Sequence, residues 1–377
     1  MNDAAAIAPP AGVGATLASV DTPALLLDLD AFEHNLDTLR AMVSGLGVCV
    51  RPHAKSHKCP EIARQQLARG AVGICCQKVS EAEAFVRGGI TDVTIVNEIV
   101  GAPKLARLAR LARQARIAVA VDDALNVDEV DRAAGDAGVT LDVLVEVDVG
   151  LQRCGVEPGP PAIALATRVA RKRHLRFAGL QAYHGRAQHV RSFEERRAAA
   201  AAAADKVRTT IDQLRGEGLE AATVTGGGTG TFRFDAASGV YTEIQPGSYI
   251  FMDADYGRNL DEDGHPVRSF QQSLFVLTTV MSHPTPGRAV VDAGLKAHSV
   301  DSGMPLVAGV PGARHTRASD EHGVIEVDGP GQVSIGQKIR LVPGHCDPTV
   351  NLHDWFVCFR GDRVEALWPI TARGAFY

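Results

Sequence analysis

The sequence predicts an α/β protein: a (β/α)8 TIM-like barrel followed by a β-rich C-terminal domain. Three observations carry this. From about residue 22 to about 260, short β-branched runs alternate with longer helical patterns, as βα units on a parallel sheet do. Eight such runs can be counted, the number that closes a barrel. Beyond about residue 265 the helical period disappears, and short apolar runs alternate with Gly and Pro turns. The expected units are 22–262 for the barrel and 263–377 for the β-rich domain.

In chain order, the barrel strands are expected at 48–50, 72–76, 93–96, 117–121, 141–147, 177–183, 222–225 and 241–245. Between them lie helical patterns, such as 103–114 with Leu105, Leu108 and Leu111 on one face, and 192–215. The alanine run 198–204 reads as a high-propensity stretch of an outer helix and carries no function. In the second domain the strand-like runs are 273–280, 289–292, 324–327, 339–342 and 355–359. An early strand at 24–29 precedes the eight, so the segment 1–29 is expected to associate with the second domain rather than with the barrel. The first 21 residues are rich in Ala, Gly and Pro, without a basic start or an unbroken apolar core. They read as a loose or draped arm, not as a signal peptide.

Composition narrows the function. With 45% apolar and 22% charged residues in 377, this is an ordinary globular composition. A formal net charge of −5 with dispersed Lys and Arg gives no footprint for nucleic acid or an anionic membrane. No apolar run approaches the ~20 residues of a membrane span. The ligand is therefore expected to be small. Seven cysteines, an odd number with one adjacent pair and no C-x-x-C spacing, fit a reducing compartment, the cytoplasm.

Chemistry is first suggested at the first barrel strand, which runs into Arg51-Pro52-His53-Ala54-Lys55-Ser56-His57-Lys58. If the segment stays extended, Arg51, His53, Lys55 and His57 share one face, which then cannot be packed core. Cationic side chains at a barrel mouth lower a lysine pKa, and a neutral amine is what Schiff-base formation needs. The competing reading is a solvated basic loop. After the seventh strand comes Thr225-Gly226-Gly227-Gly228-Thr229-Gly230-Thr231, and after the eighth Pro246-Gly247-Ser248. Late βα loops of barrels commonly bind phosphate, because glycines let backbone N–H groups approach an anion. A plain flexible turn is the alternative.

In the second domain, His345 and Asp347 follow the run ending Val342-Pro343-Gly344. In an extended chain they face one way and Cys346 the other, giving an imidazole and a carboxylate at i and i+2. Such a pair suits Mn²⁺ best, with Mg²⁺ or Ca²⁺ also compatible. A surface turn would show the same residues. His184 and His189 lie just beyond the sixth strand, where a histidine is a general-base candidate. Arg153, beyond the fifth strand, faces either a cofactor or solvent.

Taken together, these segments resemble the D-threonine aldolase family, with its 3-hydroxy-D-aspartate aldolases, among the alanine-racemase-like pyridoxal-phosphate enzymes. The likeness runs from Asp21 onward and rests on Arg51 to Glu61, Gly73 to Ala82, Gln181-Ala182-Tyr183-His184-Gly185, Thr225 to Thr231 and Asn351-Leu352-His353-Asp354. It implies that Lys55 is the Schiff-base lysine of pyridoxal 5'-phosphate, with Gln77, Arg153, Tyr183, Gly228, Thr229, Gly247, Ser248 and Tyr256 around the cofactor. It also implies that His345 and Asp347 bind the metal, that His189 is the catalytic base, and that the protein is a homodimer with the second subunit close to the site.

The implied reaction is cleavage of a D-β-hydroxy-α-amino acid to glycine and an aldehyde, His189 taking the hydroxyl proton. The alternative is a D-serine or 3-hydroxy-D-aspartate dehydratase, an ammonia-lyase using the same parts. Dehydratase relatives carry a thiolate in a His-x-Cys zinc pair, whereas the second ligand position here is Asp347, which favours the aldolases. A racemase would need a second base and no metal. Pyridoxal-phosphate carriers of the barrel type lack the second domain.

Overall fold

The computed structural model describes residues 7–329 and 331–377. The chain enters through β1 (Ala24–Asp28) and α1 (Leu29–Val43), the helix being capped by Asp28, whose carboxylate accepts from the N–H groups of Asp30 and Ala31. The eight strands that follow form one parallel sheet: β2 (Cys49–Val50), β3 (Ile74–Cys76), β4 (Asp92–Glu98), β5 (Arg116–Val121), β6 (Leu141–Glu146), β7 (Leu175–Gln181), β8 (Thr223–Gly226) and β9 (Glu243–Ile244). Its order is β2-β9-β8-β7-β6-β5-β4-β3. A parallel bridge between His53 and Cys75 joins the two ends and closes the barrel. Every expected barrel strand is present.

The intervening helices are α2 (Pro60–Ala68), α3 (Val79–Arg87), α4 (Ala102–Leu111), α5 (Ala124–Ala137), α6 (Pro160–Ala170), α7 (Phe193–Gly216) and α8 (Phe232–Ala237). On α4 the predicted face is the buried one, Leu105, Leu108 and Leu111 all packing inward. On α7 the N-cap is Ser192, and Ala200, Ala203 and Ala204 supply the buried stripe. Small side chains there let a long helix lie close to the barrel. At Gly179, with φ +145°, a Cβ would stand 1.7 Å from the Thr223 carbonyl oxygen, so β7 reaches β8 only with glycine at that point.

After residue 270 the chain builds a second, mixed sheet from β10 (Leu274–Thr285), β11 (Arg288–Val291), β12 (Leu306–Ala308), β13 (Arg314–Ala318), β14 (Gly323–Glu326), β15 (Lys338–Val342), β16 (Trp355–Arg360) and β17 (Arg363–Pro369), with a short helix α9 (Cys346–Val350) between β15 and β16. β1 sits inside this sheet, antiparallel to β10 and parallel to β16. The strands β12, β13 and β17 were not expected. β13 reads Arg-His-Thr-Arg-Ala with only His315 buried, so no apolar alternation marks it. β17 is found by hairpin pairing with β16 rather than by its own pattern.

Residues 7–21 drape over this sheet. The Gly14 N–H donates to Val364 O at 2.8 Å, and Trp355 Nε1 donates to Ile7 O at 2.9 Å. The first six residues of the expected arm lie outside the described residues.

One apolar core fills the space between barrel and helices. A second joins the lobes, packing Leu27, Phe32, Leu274 and Phe356 against Phe232, Ile244 and Tyr249 from the barrel side. Each such buried side chain contributes about 1.5–3 kcal/mol of transfer free energy, so the β-rich lobe is held firmly against the barrel. No helix among the described residues is long and apolar enough to cross a membrane, and all seven cysteines are free.

Candidate active site

The segment after β2 is not extended for as long as the alternation argument requires. His53 is the last extended residue, and Ala54–Ser56 form a single 3-10 turn whose Lys55 N–H is accepted by His53 Nδ1 at 3.4 Å. The four basic residues therefore separate. Arg51 is buried in the barrel wall, donating to Glu243 at 2.9 Å and to Asp92 at 2.6 Å. His57 is packed edge-on against Phe85 at 5.7 Å, and burial pushes its pKa down to about 3. Both are core, which corrects the expectation that this face cannot be packed. His53 and Lys55 alone of the four reach the mouth, His53 Nε2 lying 2.9 Å from Gln77 Nε2.

Lys55 also meets a different charge from the one expected. Its Nζ lies 2.5 Å from Asp347 Oδ2, contributed by the β-rich lobe. Burial pulls the lysine pKa down, but the carboxylate, with Tyr183, outweighs it and holds the ammonium above its ordinary value. The like-charge argument is thus replaced by an ion pair between lobes. Asp347, burial notwithstanding, is kept well below the usual carboxylate range by Lys55 and His345.

The two small-residue turns meet on the other side of the mouth. Gly228 packs so closely that a Cβ would fall 2.6 Å from Gln188 Oε1, and Gln188 Oε1 also accepts the Gly230 N–H at 2.9 Å. Thr229 Oγ1 accepts the Tyr249 N–H at 3.1 Å, which ties the glycine turn to the turn holding Gly247 and Ser248. One cavity is lined by Lys55, Gln77, Arg153, Tyr183, Gly228, Thr229, Gly247, Ser248 and Tyr256, together with His53 and Asp347. Arg153 thus faces the cavity.

Three further residues on its wall were not anticipated: Val96, Gln181 and Gln245. Gln245 Nε2 donates to Gln181 Oε1 at 2.9 Å and to Thr225 Oγ1 at 2.7 Å. For the two glutamines a signal was available, since amides at or just past the end of a barrel strand stand where apolar core would otherwise be. Behind Arg153, an acidic group also went unread. Glu98, Asp122 and Cys154 bring ligand-type atoms within 4.8 Å of one another, and burial together with Glu98 raises the Glu146 pKa.

His345 and Asp347 are brought together differently from the extended picture. His345 is the N-cap of α9, so the chain turns helical at Cys346. Cys346 was expected to face away; instead its buried thiol points at Asp347 Oδ1 across 3.3 Å. His345 Nδ1 is 2.8 Å from Asp301 Oδ2, which leaves Nε2 as its available nitrogen.

His189 ends a 3-10 turn (Arg186–His189) and lies outside the cavity lining, its ring 5.1 Å from that of Tyr256. Its Nδ1 is 2.6 Å from Asp255 Oδ2. His184 is half-buried against Gly150 and does not line the cavity.

Comparison with known proteins sets this geometry beside related chains. Residues 27–255 match the family model for the alanine racemase N-terminal domain, and residues 273–359 match that for a putative serine dehydratase domain. A D-threonine aldolase from Arthrobacter sp is 53% identical over 98% of this chain and 97% of its own. A 3-hydroxy-D-aspartate aldolase from Paracoccus denitrificans (strain Pd 1222) is 47% identical over 98% and 96%. The crystal structure of D-threonine aldolase from Filomicrobium marinum superposes with a TM-score of 0.96 at 53% identity, covering 98% of this chain and all of that one. A D-threo-3-hydroxyaspartate dehydratase from Delftia sp. (strain HT23) is more distant, 29% identical over 89% and 93%.

Proposed function

This chain belongs to the D-threonine aldolase family of alanine-racemase-like pyridoxal-phosphate enzymes, and on that premise we propose that it cleaves D-β-hydroxy-α-amino acids between Cα and Cβ. It is a carbon–carbon lyase; the substrates are of the D-threonine and 3-hydroxy-D-aspartate type, and the products are glycine and an aldehyde. One observation carries the reading. Lys55 Nζ and Asp347 Oδ2 lie 2.5 Å apart, so an amine able to hold a carbonyl cofactor and a hard oxygen ligand converge at one point of the mouth.

The residues present fit pyridoxal phosphate. The cavity offers a single lysine amine, a Gly-Thr turn and a Gly-Ser turn that share a hydrogen bond, and an arginine on its wall. Lys55 would hold the aldehyde carbon, Gly228, Thr229, Gly247 and Ser248 the phosphate, and Gln77, Arg153, Tyr183 and Tyr256 the ring. When bound, pyridoxal phosphate supplies an electron sink for the carbanion left at Cα. The donor set also fits a divalent metal. Asp347 is an ionised carboxylate, and Asp301 fixes His345 so that its Nε2 is presented, an arrangement typical of metal-bound histidines. When bound, the metal supplies a cation that lowers the pKa of the substrate hydroxyl. Mn²⁺ suits an imidazole–carboxylate pair best, with Mg²⁺ or Ca²⁺ compatible.

The chain's own residues then divide the work. His189, through its free nitrogen, takes the β-hydroxyl proton, which cleavage requires. The barrel unit, residues 22–262, holds the cofactor, while residues 263–377, joined by the N-terminal strand, bring the metal ligands. The backbone turns would restrain the phosphate, so metal loss should leave the cofactor in place. We infer a homodimer of the reducing cytoplasm, the seven free thiols supporting the second point.

The test is metal removal. Exhaustive chelation, or His345→Ala, is expected to stop cleavage of D-threonine while the visible absorbance of bound pyridoxal phosphate persists, with Mn²⁺ restoring turnover only to the chelated wild type. Full activity in protein shown to be metal-free would overturn the role given to His345 and Asp347.

A further inference from the structure

His189 is nearly half exposed, its side chain retaining 45% of its accessible surface, yet it is held by an unusually well-anchored acid. Asp255 Oδ2 lies 2.6 Å from His189 Nδ1, while Asp255 Oδ1 accepts from Arg191 Nη2 at 2.5 Å and from Arg258 Nη2 at 2.7 Å. Arg191 Nη1 also donates to the Asp255 carbonyl at 2.8 Å and to Asn259 Oδ1 at 2.8 Å. Asn259 Nδ2 in turn donates to the carbonyl of Gln188, the residue before His189, at 2.9 Å. The next residue after Asp255, Tyr256, lies against the imidazole ring and lines the cavity. One short segment, 255–259, therefore grips His189 at its ring face, its Nδ1 and its preceding backbone.

We propose that Asp255 is a positioning residue for this reaction, fixing His189 in the tautomer that carries its proton on Nδ1 and keeps Nε2 free to accept one. The proposal rests on the reading of His189 as the base. An ionised carboxylate only accepts hydrogen bonds, so the nitrogen facing it must bear the hydrogen. Neutral imidazole has one N–H, hence Nε2 keeps the lone pair. The two arginines keep the acid ionised and immobile, so the ring neither flips nor exchanges tautomer between turnovers. Without this anchor, an imidazole open to solvent populates both tautomers and several rotamers, and only a fraction presents a basic nitrogen to the substrate hydroxyl. Orientation of this kind carries large factors in other histidine-dependent sites.

The experiment combines kinetics with a direct view of the tautomer. Holoenzyme labelled with ¹⁵N-histidine, its His189 signals assigned by their absence from His189→Ala, is expected to show Nδ1 protonated and Nε2 unprotonated at slightly alkaline pH. In Asp255→Asn this preference relaxes. kcat for D-threonine should fall on the order of 10²- to 10⁴-fold while KM and pyridoxal-phosphate content stay within about twofold of wild type. A merely structural Asp255 would change cofactor content or KM and leave the tautomer of the remaining folded enzyme as it was. Nδ1 found unprotonated in the wild type overturns the proposal without recourse to any variant. Wild-type kcat in Asp255→Asn overturns it too, if His189→Ala is inactive. An active His189→Ala instead refutes the base assignment itself.

Discussion

Lys55 gains its significance from its neighbours rather than from its own segment. The sequence placed it at a barrel mouth among cations, and the mouth is where it lies, but its partner is Asp347, which is 292 positions away. No local pattern encodes that pairing. The same holds for the carboxylates that face the two histidines: Asp255 is 66 positions from His189, and Asp301 is 44 from His345. Residue identity and strand-end position were legible in the sequence, whereas the orienting partners depend on how distant loops fold over the mouth. If Lys55 holds the cofactor, Lys55→Ala purified with pyridoxal phosphate and then desalted should be colourless and lack detectable turnover. A yellow, borohydride-reducible variant would show that another lysine carries the cofactor.

Elements with a strong internal period were the legible ones. The eight barrel strands and the helices α4 and α7 follow from alternation and from 3.6-residue spacing, since each buries one face against a continuous core. Where a segment departs from its period for two or three residues, the reading failed: the 3-10 turn at Ala54–Ser56 rotated His57 into the core, and α9 began at Cys346 instead of continuing β15. Pro348 within the first turn of α9 was a usable signal, because proline is tolerated there.

Strand β13 also hides a feature that composition could not show. His315 and His298 lie edge to face at 5.1 Å, both buried, with no hydrogen-bond partner for any of their four ring nitrogens among the described residues. Burial lowers both pKa values, that of His315 to about 4, with His298 adding to it. In the folded state these rings are neutral, while in the unfolded chain they protonate near 6.5. The contribution of His315 is therefore full above about pH 6.5 and is lost as pH falls toward about 4, at up to about 1.4 kcal/mol per unit, and His298 acts in the same direction. Thermal melting followed between pH 7 and pH 5 should show a shallower fall in His315→Leu than in wild type. Parallel slopes would mean that this pair does not govern acid lability.

At the scale of the whole molecule, the order of elements encodes the architecture: βα repeats, then strands. The early strand β1 is the exception that binds the two parts, running inside the second sheet while α1, directly after it, packs into the core shared by both lobes. That shared core, which includes Cys346, is what carries Asp347 to the barrel mouth. The arrangement brings the Lys55 amine, the two small-residue turns and the Asp347 carboxylate into one cleft, and on the proposed mechanism the choice between aldol cleavage and elimination turns on what happens to the β-hydroxyl there. If His189 accepts the proton as proposed, and Asp347 rather than a thiolate completes the proposed ligand pair, the hydroxyl should lose its proton rather than depart. The most direct measurement is a product balance with D-threonine as the substrate. Glycine and acetaldehyde should form in equal amounts, with L-threonine inert. Ammonia and a 2-oxo acid without glycine would contradict the account and identify a dehydratase.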